Sequence, residues 1–255
     1  MSSPDLLTAR LELTGRITTA SNATFLGSIG ENSVVYKPIA GEKPLWDFPH
    51  GTLAYREVAA FLVSEALGWN LVPRTWLREG QFGKGMVQLW QEVDRGQHPV
   101  DIVAADMVPA GGWKTILHGQ DESGRQMTLI HEDTPALRRM AVFDALVNNA
   151  DRKGDHVLAM PGGHRYGVDH GLCFNAEHKL RTVLWGWVGQ PLDAEELAGL
   201  RTVSEALHAE LGQELTNLLD DEEIAALAER CATLCSEGHF PAHRGQMPAV
   251  PWPLF

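Results

Sequence analysis

The chain carries two polar motifs separated by a short apolar run, Asn148-Asn149-Ala150-Asp151-Arg152-Lys153-Gly154-Asp155-His156 and Tyr166-Gly167-Val168-Asp169-His170-Gly171-Leu172. Asp151 in the first motif and Asp169 in the second lie at a separation that is typical of phosphoryl-transfer sites. In such a site the nucleotide brings its own leaving group, so the protein mainly positions an acceptor and neutralises phosphate charge. Asp151 is therefore the candidate base for the acceptor, and Asp169 is the candidate metal ligand.

Hydrophobic periodicity predicts how these two carboxylates come together. Apolar residues near helical spacing predict an amphipathic helix over 137–147, so Asp151 falls in the loop that follows it. Two short runs, 157–160 and 166–168, are separated by Pro and Gly residues and predict a hairpin. The second strand of this hairpin would deliver Asp169 to the cleft that contains Asp151.

The sequence Asn-Asn-Ala-Asp-Arg at 148–152, followed by Val-Asp-His-Gly at 168–171, resembles the catalytic and metal motifs of the atypical kinases. The closest patterns are those of the HipA-type protein kinases and the type II phosphatidylinositol 4-kinases. The chain also resembles an uncharacterised actinobacterial branch that is classed with the phosphatidylinositol 3- and 4-kinases. The resemblance implies an α+β, kinase-like fold with an antiparallel-sheet N-lobe (1–93) and a mostly helical C-lobe (94–255). It also implies ATP as the cofactor, with Mg²⁺ or Mn²⁺, and an ATP-binding lysine on a strand.

The N-terminal part contains the other pieces of a nucleotide site in the order that the resemblance requires. Strands are predicted over 10–17, 24–29 and 33–38, and they would form a meander. Lys37, in the third of these strands, is the lysine that would contact the phosphates. The turn at 19–24 would close over the phosphates, with contacts from Ser21, Asn22 and Thr24.

A lysine that contacts phosphates is usually held by a carboxylate on a following helix. The segment 53–62 is strongly helical, and Glu57 within it is the expected partner of Lys37. Two further strands are predicted over 74–77 and 85–90. The hinge that would offer backbone groups to adenine then falls at Gln91, Glu92 and Val93.

The sequence departs from the kinase pattern at three places, and one of them, Asn149 where many protein kinases have His, agrees with the atypical branch. His156 stands where the pattern usually has an Asn that binds a second metal ion. Imidazole suits softer ions than magnesium, so a manganese preference, one-metal chemistry and impaired catalysis all stay open. The nucleotide turn has Ser-Asn-Ala-Thr at 21–24 in place of a Gly-x-Gly-x-x-Gly string. Lys153, two residues after Asp151, agrees with the pattern because it could reach a transferring phosphate.

The predicted function is ATP-dependent phosphotransfer to a protein hydroxyl or to a small metabolite. An inositol lipid is the least attractive acceptor, because the net charge is −12 and no cluster of Lys and Arg would bind an acidic membrane. Two alternatives remain open. One is a pseudokinase that binds a nucleotide or a partner without turnover, and the other is a transferase that moves the AMP group.

Composition excludes several other classes of protein. A chain of 255 residues can build two small lobes, and its negative charge argues against a nucleic-acid partner. We expect a cytoplasmic protein without integral membrane contact, because no leader and no apolar run of transmembrane length is present. The odd number of cysteines, 3, points away from a secreted disulfide scaffold.

The remaining segments are predicted from pattern alone. Helical patterns occupy 180–187, 193–200, 203–211 and 221–234, and acidic residues near Asp193 and Asp220 mark two helix starts. Polar surface connections are predicted over 94–100 and 119–125, and the segment 113–117 is too short to assign. The aromatic-rich segment 46–52 would either fold over the mouth of the cleft or pack on the lobe.

Four possible zinc ligands recur every four residues, namely Cys231, Cys235, His239 and His243. Gly238 and Pro241 interrupt the helix that would carry them, so closure around one ion is possible but not required. The alternative is two packed helix cysteines followed by a polar tail.

Overall fold

The computed structural model describes residues 5–18, 20–244 and 247–255, and Thr19 of the predicted phosphate turn lies outside them. The strands are β1 (Leu11–Ile17), β2 (Thr24–Ile29), β3 (Asn32–Pro38), β4 (Thr75–Gly80), β5 (Gly83–Leu89), β6 (Val100–Ala104), β7 (Trp113–Gln120), β8 (Gln126–Glu132), β9 (Val157–Ala159) and β10 (Arg165–Gly167). The helices are α1 (Leu53–Leu67), α2 (Pro135–Val147), α3 (Ala194–Leu207), α4 (Glu210–Leu215) and α5 (Asp221–Glu237).

The first five strands form one antiparallel sheet in the order β1-β2-β3-β5-β4. The predicted meander is confirmed, and β3 pairs with β2 on one side and with β5 on the other. Val34 and Tyr36 of β3 are buried in the small core on one face of this sheet. Because successive side chains of a strand point to opposite faces, Lys37 points to the other face, toward the rest of the protein.

Helix α1 connects the sheet to the C-terminal helices. It runs beyond the predicted segment and ends at Gly68, whose φ of 71° is the left-handed conformation that favours glycine. Ala59 and Val63 are buried in the main hydrophobic core, together with residues of α2, α3 and α5. Arg56 is also buried and pairs with Glu223 of α5. The helix that carries Glu57 is therefore anchored to the C-terminal part as well as to the sheet.

The C-terminal helices confirm both predicted helix starts. Asp193 and Asp220 each accept a hydrogen bond from the backbone N–H three residues later, and the carboxylates of Glu196 and Glu223 accept one from the backbone N–H of the cap residue. Helix α3 is continuous over the two segments that were predicted separately, 193–200 and most of 203–211. Within the described residues, none of the helices is long and apolar enough to cross a membrane.

The prediction of a helix over 180–187 is wrong. Leu180, Val183 and Trp187 are buried in the main core, but the backbone of this segment bonds to other parts of the chain. Arg181 N donates to Asn149 O at 2.9 Å, and Val183 N donates to Arg152 O at 3.1 Å. Buried backbone groups need partners, and here the partners lie in the loop before β9 instead of one helical turn away.

A second antiparallel sheet, in the order β6-β8-β7, was not predicted. It adds strands to the C-terminal part, which is otherwise mostly helical as expected. Strand β7 includes the unassigned segment 113–117 and is largely exposed. Its hydrophobic pattern is weak for that reason, because an exposed edge strand buries few side chains.

His131 of β8 fastens this sheet to the C-terminal core. Its ring lies 4.5 Å from the ring of Trp187, and its Nδ1 lies 2.8 Å from Glu132 O. A carbonyl oxygen only accepts, so Nδ1 carries the hydrogen and Nε2 accepts from Gly186 N at 3.1 Å. This arrangement requires the neutral imidazole.

We expect the free energy of unfolding to depend on pH through His131. Burial lowers the pKa of this imidazole from 6.5 to about 4. The corresponding stability is present above pH 6.5 and is lost as the pH falls toward 4, by up to about 3 kcal/mol. Urea unfolding of His131→Gln should show a smaller loss over this range. The variant His118→Gln, at an exposed position in β7, should keep the loss, and equal acid sensitivity in both variants would contradict the assignment.

Candidate active site

Lys37, Glu57 and Asp169 meet between the five-stranded sheet and the C-terminal part. Lys37 Nζ lies 2.6 Å from Glu57 Oε1 and 2.7 Å from Asp169 Oδ1. The second oxygen of Glu57, Oε2, accepts the backbone N–H of His170 at 2.9 Å. Three residues that were predicted on three separate elements are thus in direct contact.

The charges of this triad support one another. Burial alone would lower the pKa of Lys37, but the carboxylates of Asp169 and Glu57 outweigh it and raise that pKa. The ammonium of Lys37 lowers the pKa of Asp169, so this carboxylate is ionised. The backbone φ of Asp169 is 61°, a left-handed conformation that is uncommon outside glycine and is concentrated at functional sites.

Asp151 lies in the loop after α2, as predicted, and it faces the same cavity as Lys37 and Asp169. Lys153 Nζ lies 3.6 Å from Asp151 Oδ2. Burial raises the pKa of Asp151, although the charges of Lys153 and His156 oppose this effect. A carboxylate with a raised pKa accepts a proton more readily than an exposed one.

His156 lies next to both aspartates. Its Nδ1 is 3.0 Å from Asp151 O and therefore carries a hydrogen. Nε2 lies 3.5 Å from Asp169 Oδ2 and 3.8 Å from Asp155 Oδ1. Among the described residues, no group of three or more His, Cys, Asp or Glu side chains is arranged to hold a metal ion without further ligands.

The side chain that holds these motifs in place is Arg152, whose role was not predicted. It is fully buried, and its Nε and Nη2 donate to Asp144 of α2 at 2.9–3.1 Å. Nη1 donates to His156 O and Val168 O, and Nη2 donates to His170 Nε2 at 2.8 Å. Because a guanidinium only donates, His170 accepts and is neutral, and burial lowers its pKa well below 6.5.

Two asparagines complete the support of the loop at 148–156, hereafter the Asp151 loop. Asn149 Oδ1 accepts from Asp151 N at 2.9 Å, and its Nδ2 donates to Asp144 Oδ1 at 3.0 Å. Asn148 takes the left-handed conformation that ends α2, with φ of 54°. Its side chain donates to Asn175 O at 2.8 Å and to Glu177 O at 2.6 Å. The loop is thereby bound to the segment that follows residues 168–171. Residues 168–171 are hereafter called the Asp169 motif.

A cavity of about 210 Å³ lies beside these groups. Its lining comes from the β1–β2 turn, β3, the segment after β3, the start of α1, the Asp151 loop and the Asp169 motif. Ser21 and Asn22 belong to this lining. Thr24 does not, because it is buried and its hydroxyl donates to Asn22 O at 3.2 Å, so it holds the turn in shape.

The predicted hinge residues lie where the chain leaves the five-stranded sheet. Gln91, Glu92 and Val93 follow β5 directly, and Asp94 N then donates to Ala159 O of β9 at 2.8 Å. They are not part of the lining of the 210 Å³ cavity. Their contact with adenine stays a prediction.

The segment 46–52 packs on the protein, and none of its residues lines the 210 Å³ cavity. Phe48 is buried, whereas Trp46 is 86% exposed with the Lys179 ammonium 4.9 Å from its ring centroid. Asp47 pairs with Lys179 at 3.3 Å and accepts from Asn175 through its backbone at 2.8 Å. The segment is therefore fixed against the chain that follows the Asp169 motif.

The four possible zinc ligands are not brought together. Cys231 is buried in the main core and its Sγ donates to Leu200 O at 3.2 Å. His239 Nδ1 bonds to Glu237 O, and His243 packs edge-on against the ring of Trp185. The regular spacing therefore comes from one packed helix face and a following tail.

The fold and the position of the site define a protein with a kinase-like fold. The structure is similar to the crystal structure of CtkA, a proinflammatory kinase of Helicobacter pylori, with a TM-score of 0.50 and 12% sequence identity. The similarity covers 93% of this chain and 95% of that chain. At so low an identity it shows the fold alone, and it confirms the predicted α+β, kinase-like class.

A sequence relative shows the family. The chain is 46% identical to Protein Rv2133c of Mycobacterium tuberculosis over 267 aligned positions, which cover 98% of this chain and 94% of that protein. The chain therefore belongs to the same family as Protein Rv2133c. No family model matches it, so the predicted membership of the phosphatidylinositol kinase-like or HipA-like branch stays a prediction.

We expect Arg152→Met to destabilise the fold by about 3–5 kcal/mol, because it leaves the fully buried Asp144 carboxylate without its cation. The matched control is Arg139→Met, which removes a partly exposed ion pair with Glu195 and should cost less than about 1 kcal/mol. Urea unfolding of both variants measures the difference. A similar small loss in both would show that Arg152 does not organise the two motifs.

Proposed function

We propose that the protein is an ATP-dependent phosphotransferase of the atypical kinase type. The observation that carries this proposal is the triad of Lys37, Glu57 and Asp169, which shares one cavity with Asp151. A phosphoryl-transfer site needs a cation for the phosphates, a carboxylate that holds this cation, a metal ligand and a base. The kinase-like fold of the chain supports this proposal.

The nucleotide phosphates would lie between Lys37 and the β1–β2 turn. Ser21 and Asn22 of this turn line the cavity and would contribute polar contacts. Lys37 is only 21% exposed and is held by two carboxylates, so it presents a fixed charge. Such preorganised charge stabilises a transferring phosphoryl group more than a mobile lysine would.

The residues present fit one divalent cation. Asp169 is ionised and half exposed, and His156 Nε2 lies 3.5 Å from its Oδ2. Magnesium is usually held by one or two carboxylates together with phosphate oxygens, so a complete protein cage is not required. Asp169 and His156 would hold Mg²⁺ or Mn²⁺, and the ion would neutralise charge on the phosphates.

Asp151 would act on the acceptor. Its carboxylate would accept the proton of the attacking hydroxyl, and the raised pKa of Asp151 favours that transfer. Lys153, beside Asp151, would contact the transferring phosphate. The acceptor in this proposal is a protein hydroxyl or a small metabolite.

The proposed function predicts that the protein binds ATP together with a metal ion. ATP with Mg²⁺ or Mn²⁺ should raise the melting temperature of the unaltered protein, because a ligand that binds only the folded state stabilises it. Lys37→Met and Asp169→Asn should each remove most of this shift, since they delete the phosphate cation and the metal ligand. Lys84→Met is a matched control, at an exposed position in β5 of the same sheet, and should keep the shift. Differential scanning fluorimetry at millimolar ATP measures all four proteins.

An equal shift in Asp169→Asn and in the unaltered protein would show that the metal assignment is wrong. No shift in the unaltered protein with either metal ion would reject the nucleotide site itself.

The proposed function also predicts that the protein hydrolyses or transfers the γ-phosphate of ATP and releases ADP. Asp151→Asn should lower the rate of ADP release by about 10²–10⁴-fold, the usual contribution of a general base. It should leave the ATP-dependent thermal shift in place. In the unaltered protein the rate should fall with decreasing pH through a pKa above 3.8, because Asp151 must be ionised and burial raises its pKa. Asp106→Asn, at an exposed position, is the control.

The products distinguish the alternatives. ATP binding without ADP release with either metal ion would indicate a pseudokinase, in which His156 has replaced Asn because turnover is not needed. A protein adduct with the mass of AMP, found by mass spectrometry, would indicate nucleotidyl transfer instead of phosphoryl transfer.

A further inference from the structure

One part of the cavity wall next to Asp151 is apolar. Leu53 and Ala150 are buried with Phe48 in a small hydrophobic cluster that is separate from the two larger cores. Leu45 and Leu172 pack against this cluster and, with Leu53, line the cavity. Ala150 directly precedes Asp151, so the cluster adjoins the candidate base.

The apolar wall continues into a neighbouring cavity of about 190 Å³. The two cavities share Glu42, Lys43, Leu45 and Leu53 in their linings. Phe48 of the cluster also lines the second cavity. The leucine wall therefore extends away from Asp151 along the segment that connects β3 to α1.

Most charged groups around the first cavity already have partners. Glu42 accepts from Leu53 N at 3.1 Å and from Ala54 N at 2.8 Å, so its charge faces the start of α1. Lys37 is held by Glu57 and Asp169. Under the proposed function the remaining polar groups serve the phosphates and the base. The rest of the lining consists of three leucines, Leu45, Leu53 and Leu172, together with Pro38, Lys43, Ala54 and Gly171.

We propose that the acceptor is a small molecule with a hydroxyl on an apolar segment, and that Leu45, Leu53 and Leu172 contact this segment. The inference rests on the proposed phosphotransferase function. The three leucines line the same cavity as Asp151, so an apolar segment of a few carbon atoms beside the reacting hydroxyl would contact them. The hydroxyl oxygen forms a bond to the γ-phosphorus of ATP, the bond from this phosphorus to ADP breaks, and Asp151 takes the hydroxyl proton.

Primary alcohols are direct probes of this wall. The unaltered protein is incubated with ATP, Mg²⁺ and ethanol, propanol, butanol or pentanol, and the alkyl phosphate is measured by mass spectrometry. The rate of alkyl phosphate formation, divided by the alcohol concentration, should rise about fourfold for each added methylene group. This factor corresponds to full burial of each group. At equal concentration, propanol should also be phosphorylated faster than glycerol, which has the same number of carbon atoms but more hydroxyl groups.

Variants test whether the leucine wall causes this preference. Leu45→Ser should reduce the ratio of pentanol transfer to ethanol transfer toward one. Leu45→Phe should fill part of the wall and move the preference to shorter alcohols. Leu117→Ser, the same substitution at an exposed position in β7, should keep the ratio of the unaltered protein. The ratio does not depend on the amount of active protein, so a partly folded variant still gives an interpretable result.

The outcomes separate the two proposals. ADP release with no dependence on chain length, or with glycerol equal to propanol, overturns the apolar acceptor and leaves the phosphotransferase intact. Phosphate on the protein itself, with none on any alcohol, overturns the small-molecule acceptor in the same way. If ADP release and the ATP-dependent thermal shift are both absent, the phosphotransferase is rejected. The acceptor proposal is then rejected with it.

Discussion

The arrangement of the site depends on one buried ion pair, between Arg152 and Asp144. A guanidinium can be buried at low cost only when its N–H groups all find acceptors, and the acceptors here come from α2, the Asp151 loop and the Asp169 motif. The approach is so close that a Cβ on Gly167 would lie 2.9 Å from Arg152 Nη2. Asp151 and Asp169 therefore keep a fixed separation, because the loop and the motif that carry them are both bound to the Arg152 side chain.

The same network reaches the sheet through Glu57. One oxygen of Glu57 accepts from His170 N and the other pairs with Lys37, so a single carboxylate joins Lys37 to the Asp169 motif. The neighbouring residue, Arg56, pairs with Glu223 at the start of α5 and donates to Cys173 O at 2.6 Å. Two adjacent side chains of α1, Arg56 and Glu57, thus bind the C-terminal part and the five-stranded sheet. The helix cannot move away from Lys37 without breaking a buried ion pair, which makes the assembled triad the stable state.

The parts of the site that sequence predicted are those with a local signal. Lys37 lies in a strand of alternating burial and Glu57 in a strong helix, so each could be placed before any contact was known. Arg152 had no such signal, because an arginine beside an aspartate in a polar loop usually faces solvent. The apolar segment at 180–187 was equally ambiguous, since buried residues in a helix and in an irregular segment have similar composition. Its true conformation depends on hydrogen bonds to Asn149 and Arg152, which are distant in sequence.

The β1–β2 turn keeps its shape without a glycine-rich sequence. Asn22 Oδ1 accepts from Lys43 N at 2.8 Å, and Ala23 N donates to Gly41 O at 3.1 Å. The turn is therefore held by hydrogen bonds to the segment after β3. A glycine-rich loop would instead depend on the conformational freedom of its backbone. That same segment carries Leu45 on the apolar wall. The turn that the proposed site uses for the phosphates and the wall that it uses for the acceptor are therefore joined through one short segment of the chain.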